Sequence, residues 1–164
     1  MATHLKNLSD FTGTEIPSAE KFRFGIIVSE WNHEITNSLY KGAFNVLLKH
    51  NADEKNILTL YVPGSFELTS AADMLLSSKT LNAVICLGCV IQGETPHFDF
   101  ICQAVASGIS NVTIKHNKPV IFGVLTTGNL QQAIDRSGGS HGNKGEEAAV
   151  TAIKMAQIQH DLAI

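Results

Sequence analysis

Four short apolar runs, rich in β-branched residues, alternate along this chain with segments whose apolar residues recur at helical spacing. The runs cover residues 24–28, 57–62, 83–91 and 119–125. Strands that are apolar on both faces are typical of a parallel sheet covered by helices on both sides. The order βαβαβαβα, with one more helix at the end, therefore predicts an α/β fold, a doubly wound three-layer sandwich with a four-stranded parallel sheet.

The remaining segments set the boundaries. Helices are predicted over 35–47, 66–76 (with Ser65 as N-cap), 98–109, 129–136 and 146–162, with a break at 137–142. Residues 1–20 are polar and show no periodic pattern, so they are expected to form an N-terminal arm. Since no linker or low-complexity block interrupts residues 21–164, this part is predicted to be a single domain.

Charge is scarce in this chain. Only 16% of its 164 residues are charged, against about 25% in a typical globular protein. Weakly polar surface of this kind is suited to a subunit interface, so a homo-oligomer is expected. The net charge of -3 gives no basic field for phosphate backbones, and nucleic acid is not expected as a partner.

The chain shows no sign of a membrane or secreted protein. Its longest apolar stretch, residues 83–91, is far shorter than the ~18 residues of a membrane span. The N-terminus lacks the apolar segment of a signal peptide. Three cysteines are few and odd in number, which favours a reduced, cytoplasmic compartment.

Ligands of open parallel sheets bind where the strands end and the loops lead into the helices. These loops are residues 29–34, 63–67, 92–97 and 126–129. The loop 92–97 is the richest of them. It leads into a predicted helix, whose free N–H groups favour an anion such as phosphate, and Gly93 and Thr95 provide close approach and a hydroxyl.

Three side chains in these loops each allow two interpretations. His97 is either a proton-transfer group beside the anion or a surface histidine at a helix start. Trp31 is either a core residue or a pocket wall that stacks on a planar ring. Glu67 stabilises a helix dipole, accepts hydrogen bonds from the hydroxyls of a sugar-like ligand, or does both.

Arg136 and Lys144 flank a Gly- and Ser-rich segment. The segment is no P-loop, because it follows a helix and Lys144 precedes Gly145 rather than Ser or Thr. Arg136 either neutralises the end of its helix or clamps a phosphate with two hydrogen bonds.

Neither a metal site nor a redox pair is expected. Cys86 and Cys89 are three apart on one strand, so they point to opposite faces and are predicted to be core residues. The histidines lack the spacing of metal ligands.

Taken in order, five motifs resemble the lumazine synthase family over roughly residues 20–160. They are residues 31–36 (WNHEIT), 62–68 (VPGSFEL), 88–99 (GCVIQGETPHFD), 122–127 (FGVLTT) and 132–136 (QAIDR) continuing to 142–145 (GNKG). The resemblance implies a flavodoxin-like sandwich. It also implies an enzyme of riboflavin biosynthesis, a transferase that condenses 5-amino-6-(D-ribitylamino)uracil with 3,4-dihydroxy-2-butanone 4-phosphate, with no cofactor and no metal.

The resemblance also implies roles for individual residues. His97 would transfer protons. The pyrimidine and ribityl group would be held by Trp31, Asn32, Ser65, Phe66, Glu67, Val90, Ile91, Phe122 and Lys144. The phosphate would be held by Gly93, Glu94, Thr95 and Arg136. Of these, Phe122, Arg136 and Lys144 would come from a neighbouring subunit. Gln92 stands where many members of the family have Arg or Lys.

The resemblance further implies pentamers, which in some members close into icosahedral shells, and riboflavin synthase as a further partner. The main alternative is a flavin-binding electron carrier of flavodoxin type. Its phosphate loop would follow the first strand and be rich in Thr, Ser and Gly, whereas residues 29–34 (SEWNHE) are bulky and acidic.

Overall fold

A four-stranded parallel sheet forms the centre of the computed structural model, which describes residues 11, 13 and 15–162. Its strands are β1 (Phe24–Ser29), β2 (Ile57–Val62), β3 (Ala83–Ile91) and β4 (Val120–Thr127), in the order β2-β1-β3-β4. A three-residue 3₁₀ turn, Glu54–Asn56, precedes β2. The helices are α1 (His33–Lys49), α2 (Leu68–Ser78), α3 (His97–His116), α4 (Leu130–Arg136) and α5 (Lys144–Leu162). The predicted doubly wound architecture is confirmed.

Two separate hydrophobic cores lie on the two faces of the sheet. Leu39 of α1, Ala133 of α4 and Ile153 of α5 are buried on one face, and Leu68 of α2 and Ile109 of α3 on the other. All nine residues of β3 are buried or half-buried. The central strand is therefore covered on both sides, as its sequence predicts.

Cys86 and Cys89 belong to opposite cores, as predicted from strand alternation. Both are free thiols. Burial raises the pKa of the Cys86 thiol to about 12 and that of the Cys89 thiol to about 11. Thiols of this kind are packing residues and not nucleophiles.

The segment predicted as a break contains a small antiparallel hairpin, β5 (Ser137–Gly139) and β6 (Gly142–Asn143). Helix α5 also begins two residues earlier than expected, at Lys144, because Asn143 Oδ1 accepts a hydrogen bond from the Gly145 N–H at 2.8 Å. Strand β4 extends to Thr127, since its pairing with β3 continues that far.

The prediction that Ser65 caps a helix is wrong. Helix α2 begins at Leu68, and Ser65 Oγ is buried with no hydrogen-bond partner in the described part of the chain. The chain makes a further turn at residues 66–67 before the helix starts.

Most of the predicted N-terminal arm, including residues 1–10, lies outside the described residues. Its last part packs on the body of the molecule. Ile16 contacts the core, and the buried Ala19 donates its N–H to the His50 carbonyl at 2.7 Å. Within residues 15–162, no helix is both long enough and apolar enough to cross a bilayer.

Candidate active site

A pocket of about 630 Å³ opens at the edge of the sheet where the strands end. Ten of the fourteen residues proposed for the site from sequence line this pocket. They are Trp31, Asn32, Ser65, Phe66, Glu67, Val90, Ile91, Gly93, Thr95 and His97. The loops after β1, β2 and β3 therefore meet at one place, as the topology of an open parallel sheet requires.

The loop after β1 forms one wall of the pocket. The Trp31 N–H donates to the Pro63 carbonyl at 3.1 Å, and its side chain is 72% exposed, so the core interpretation of Trp31 is wrong. Asn32 adopts a left-handed conformation with φ of 60°. Its Nδ2 donates to the Cys89 carbonyl at 2.9 Å, which ties this wall to the end of β3.

The loop after β2 forms the opposite wall. Phe66 is 56% exposed, whereas Ser65 is buried against Gly88, where a Cβ atom would lie 2.6 Å from Ser65 Oγ. Glu67 lies immediately before α2 but makes no side-chain capping hydrogen bond. Among the described residues its carboxylate forms no ion pair either. It can therefore accept hydrogen bonds from a ligand.

The last residues of β3 form the floor of the pocket. Pairing of β3 with β1 ends at Leu87, opposite Val28, while pairing with β4 continues to Ile91. One edge of the backbone after Leu87 is thus left without a strand partner, and Asn32 occupies only the Cys89 carbonyl on it. The backbone groups of Ile91, next to Val90, lie on this open edge and can hydrogen-bond the edge of a planar heterocycle.

The loop between β3 and α3 supplies an anion site. Gly93 and Thr95 line the pocket, and a Cβ atom on Gly93 would meet nothing within 4 Å. Within the described structure, the N–H groups of Gly93, Glu94, Thr95 and His97 donate to no other backbone group. They sit at the N-terminus of α3, a 20-residue helix, where an anion is favoured.

His97 is the first residue of α3 and is exposed at the pocket. No hydrogen bond or ion pair of its ring forms within residues 15–162. The imidazole is therefore free to exchange a proton with a bound molecule beside the anion loop.

Four proposed residues do not line this pocket: Glu94, Phe122, Arg136 and Lys144. Phe122 lies opposite Cys86 in the sheet, four residues before Thr126, which pairs with Val90 at the pocket. Its ring lines a separate groove of about 390 Å³ along α3, together with Ile109 and Ile114.

Arg136 and Lys144 belong to the other face of the sheet. Arg136 is the last residue of α4, which packs through Ala133 with α1 and α5. It is half-buried and makes no ion pair in the described part of the chain. Lys144 Nζ lies 2.9 Å from Glu147 Oε2, so its charge is partly neutralised within α5.

Sequence reasoning missed four residues that line the pocket: Gly64, Cys89, Phe98 and Ile101. Phe98 and Ile101 were assigned to a helix by their spacing alone. Their position was the available signal, because Ile101 is three residues after Phe98 and four after His97, and residues at these spacings share a helix face. No cluster of three or more His, Cys, Asp or Glu that could hold a metal ion occurs among the residues described.

Comparison with known proteins adds an independent finding. Residues 21–160 match the 6,7-dimethyl-8-ribityllumazine synthase family. The 6,7-dimethyl-8-ribityllumazine synthase of Cytophaga hutchinsonii is 61% identical over 155 residues, which cover 94% of this chain and 97% of that protein. The protein of the same name from Flavobacterium johnsoniae is 54% identical over all of this chain and 86% of its own length. The one from Porphyromonas gingivalis is 52% identical over 97% of this chain and 99% of its own length.

Proposed function

The chain belongs to the 6,7-dimethyl-8-ribityllumazine synthase family, and from this premise we propose that its pocket carries out the lumazine synthase reaction together with a second copy of the chain. The enzyme is a transferase of riboflavin biosynthesis. Its substrates are 5-amino-6-(D-ribitylamino)uracil and 3,4-dihydroxy-2-butanone 4-phosphate. One observation carries the proposal: an aromatic wall, a free carboxylate, an anion loop and a histidine share one pocket.

The pocket has a suitable place for each substrate. The uracil ring stacks on Trp31 and hydrogen-bonds the open backbone edge at Val90 and Ile91, while Asn32, Ser65 and Phe66 border it. Glu67 accepts hydrogen bonds from ribityl hydroxyls. The phosphate of the second substrate occupies the N-terminus of α3, at the free N–H groups of residues 93–95.

The reaction requires proton transfers and no protein nucleophile. The 5-amino group attacks the ketone carbon and gives a carbinolamine, which loses water to form an imine. Phosphate then leaves by elimination, and ring closure releases a second water. His97 is placed to deliver and remove these protons. Holding the two substrates side by side provides much of the remaining acceleration.

A second copy of the chain supplies the cations. Arg136 and Lys144 lie on the face of the sheet opposite α2 and α3, outside their own pocket. A contact between the pocket of one copy and the Arg136 surface of the next joins two different surfaces. Contacts of this kind generate closed rings when the rotation from copy to copy closes. The family resemblance implies a ring of five.

Helix α3 and its groove provide interface material. Residues 100–114 contain no charged side chain, although Phe100 is 68% and Ile114 78% exposed. Exposed apolar surface of this extent is typical of a protein contact. The groove that contains Phe122 continues this surface, so Phe122 is placed to meet a neighbouring copy.

Two features support a cytoplasmic location and weigh against a flavodoxin-type carrier. The three cysteines are free, which suits a reducing cytoplasm. The loop after β1, with its exposed Trp31, does not form the small, hydroxyl-rich phosphate loop of a flavodoxin-type carrier. The phosphate site proposed here follows β3 instead.

Phosphate release tests the function directly. Purified protein incubated with both substrates should release inorganic phosphate and lumazine in equal amounts, and with the butanone phosphate alone it should release none above the uncatalysed rate. A protein that releases no phosphate but purifies with a bound, redox-active flavin would contradict the proposal and favour the carrier.

A further inference from the structure

We infer that Asn143 is a positioning residue, which holds Arg136 in place by tying the β5–β6 hairpin to α1. The inference rests on the proposed function, in which Arg136 grips the phosphate bound by a neighbouring copy. Asn143 itself touches no substrate, because it is 93% buried inside its own chain, with only 7% exposed.

The side-chain amide of Asn143 joins three elements. Its Nδ2 donates to the Ser38 carbonyl of α1 at 3.0 Å and lies 3.3 Å from the Ser137 carbonyl of β5. Its Oδ1 accepts from the Gly145 N–H at the start of α5 at 2.8 Å. Both ends of the amide are thus used, and each bond has a different role.

Helix α1 is shaped to receive this amide. The Ser38 hydroxyl also donates to the Ser137 carbonyl, which adds a second tie at the same place. A Cβ atom on Gly42 would lie 2.7 Å from Asn143 Cγ and Nδ2. Glycine is therefore required at position 42 for the amide to reach α1.

The connection to Arg136 is covalent and short. Ser137, whose carbonyl Asn143 holds, is the residue directly after Arg136. The tip of the hairpin is exposed at Gly138, Gly139 and Ser140, and its only other tie in the described structure is to α4 itself, where the His141 N–H donates to the Asp135 carbonyl at 2.8 Å. The buried amide consequently fixes the point from which the Arg136 side chain extends toward the neighbouring copy.

Two variants loosen this tie in different ways. Asn143→Ser keeps an oxygen that can cap α5 but is too short to reach the Ser38 and Ser137 carbonyls. Gly42→Ala leaves Asn143 intact and pushes its amide away from α1. Each should raise the KM for the butanone phosphate by about tenfold, as expected when one or two hydrogen bonds that set a geometry are lost. The KM for the uracil substrate should change less than about twofold.

Gln159→Ala is the matched control. Gln159 Nε2 also donates to a backbone carbonyl, that of Asn117. This contact lies just before β4, at the end of the sheet where the strands begin, whereas the pocket lies where they end. A loss of stability alone should change the two KM values of Gln159→Ala and of Asn143→Ser in the same way. Only Asn143→Ser should affect the two KM values unequally.

Combination with Arg136→Ala completes the test. If Asn143 acts through Arg136, the double variants Arg136→Ala/Asn143→Ser and Arg136→Ala/Gly42→Ala should have the same KM for the butanone phosphate as Arg136→Ala alone. Wild-type KM values in Asn143→Ser and Gly42→Ala, or a full additional increase in the double variants, would overturn the inference while leaving the proposed function intact. A wild-type KM in Arg136→Ala would instead overturn the proposed role of Arg136 itself.

Discussion

Asn32 Nδ2 lies 2.9 Å from the carbonyl oxygen of Cys89, and this hydrogen bond joins one wall of the pocket to its floor. The bond spans 57 residues of sequence and takes up one carbonyl on the open backbone edge of β3. Asn32 can make it because its backbone is left-handed, with φ of 60°. A residue proposed only for substrate binding therefore also holds the pocket together.

Two substitutions at Asn32 separate the contribution of its hydrogen bond from that of its left-handed backbone. Asn32→Gly loses the hydrogen bond but keeps the backbone conformation, and it should lower the free energy of unfolding by about 1 kcal/mol. Asn32→Ala loses the bond and also strains a left-handed residue, which should cost about 1 kcal/mol more. Urea unfolding of both variants measures the difference. Equal stability of the two would mean that the backbone conformation carries no cost.

Replacement of the histidine at the start of α3 tests its catalytic role. His97→Asn should lower kcat by roughly ten- to a thousandfold, the range expected for a general acid–base group or somewhat below it. The thermal unfolding midpoint should stay close to wild type, because the ring makes no hydrogen bond within residues 15–162. His50→Asn, at the C-terminus of α1, is the control. A wild-type kcat in His97→Asn would reduce His97 to a surface residue.

Arg136→Lys distinguishes a phosphate clamp from a dipole effect. An ammonium group cannot reproduce the paired hydrogen bonds of a guanidinium. Binding of the butanone phosphate should weaken by about 1.5–3 kcal/mol, while the affinity for the uracil substrate should hardly change. Steady-state kinetics with each substrate varied in turn gives both values. If Arg136 only neutralises the end of α4, lysine will substitute with a loss of less than about 1 kcal/mol of stability and no selective effect.

A surface cluster between α2 and α3 contributes to the pH dependence of stability. Lys115 Nζ lies 2.7 Å from Asp73 Oδ1, and His116 Nε2 lies 2.6 Å from the same oxygen. The hydrogen bond from Lys115, followed by that from His116, lowers the pKa of Asp73 from its ordinary value. A carboxyl with a lower pKa in the folded state stabilises the fold above its unfolded pKa, and this stabilisation is lost as the pH falls through the folded pKa.

Asp73→Asn should therefore be less stable than wild type at about pH 6, and the two proteins should converge below about pH 4, where carboxyl groups protonate. Urea midpoints at one protein concentration measure this, since unfolding of an oligomer depends on concentration. A difference that stays constant from about pH 6 down to pH 3 would show that the charge of Asp73 is not the cause.

The sheet and its order of elements were predictable because each strand carries its own signal. Strand β3 was predicted with its observed limits, since it is apolar on both faces and is followed by a loop that contains Gly93 and Pro96. The alternation of Cys86 and Cys89 followed from the same geometry. These features depend on residues close in sequence.

The β5–β6 hairpin could not be predicted in this way. Residues 137–142 (SGGSHG) look like a loop, and what orders them is the amide of Asn143 against the Ser38 carbonyl, 105 residues away. The error at Ser65 has the same origin. A serine before a helix is typical of an N-cap. Here Gly88 of β3 lacks a side chain, and the Ser65 hydroxyl occupies the space that a Cβ atom would need.

The site shows the same division. Residues whose loops end neighbouring strands could be grouped from topology alone, and Trp31, Glu67 and His97 line one pocket. Phe122, Arg136 and Lys144 were grouped with them only through the family resemblance, and in a single chain they lie elsewhere. Their role remains a prediction, because it depends on a contact between two copies.

That contact can be tested by mixing two impaired variants. His97→Ala chains and Arg136→Ala chains are co-assembled with different tags, and hybrid rings are isolated by both tags. If each site combines His97 of one copy with Arg136 of the next, random assembly from equal amounts leaves about a quarter of the sites intact. A parallel mixture of wild type with the His97→Ala/Arg136→Ala double variant serves as the control. If each site is shared between two copies, about a quarter of its sites should be intact; if each site lies within one chain, about half should be intact.

The activity of the hybrid rings is the decisive measurement. At butanone phosphate concentrations well below the KM of Arg136→Ala, each single variant should be slow alone. When mixed, we expect the two to regain about a quarter of the wild-type rate of phosphate release, equal to the control mixture. No recovery in verified hybrids, with about half the wild-type rate in the control, would show that His97 and Arg136 do not meet across a subunit boundary.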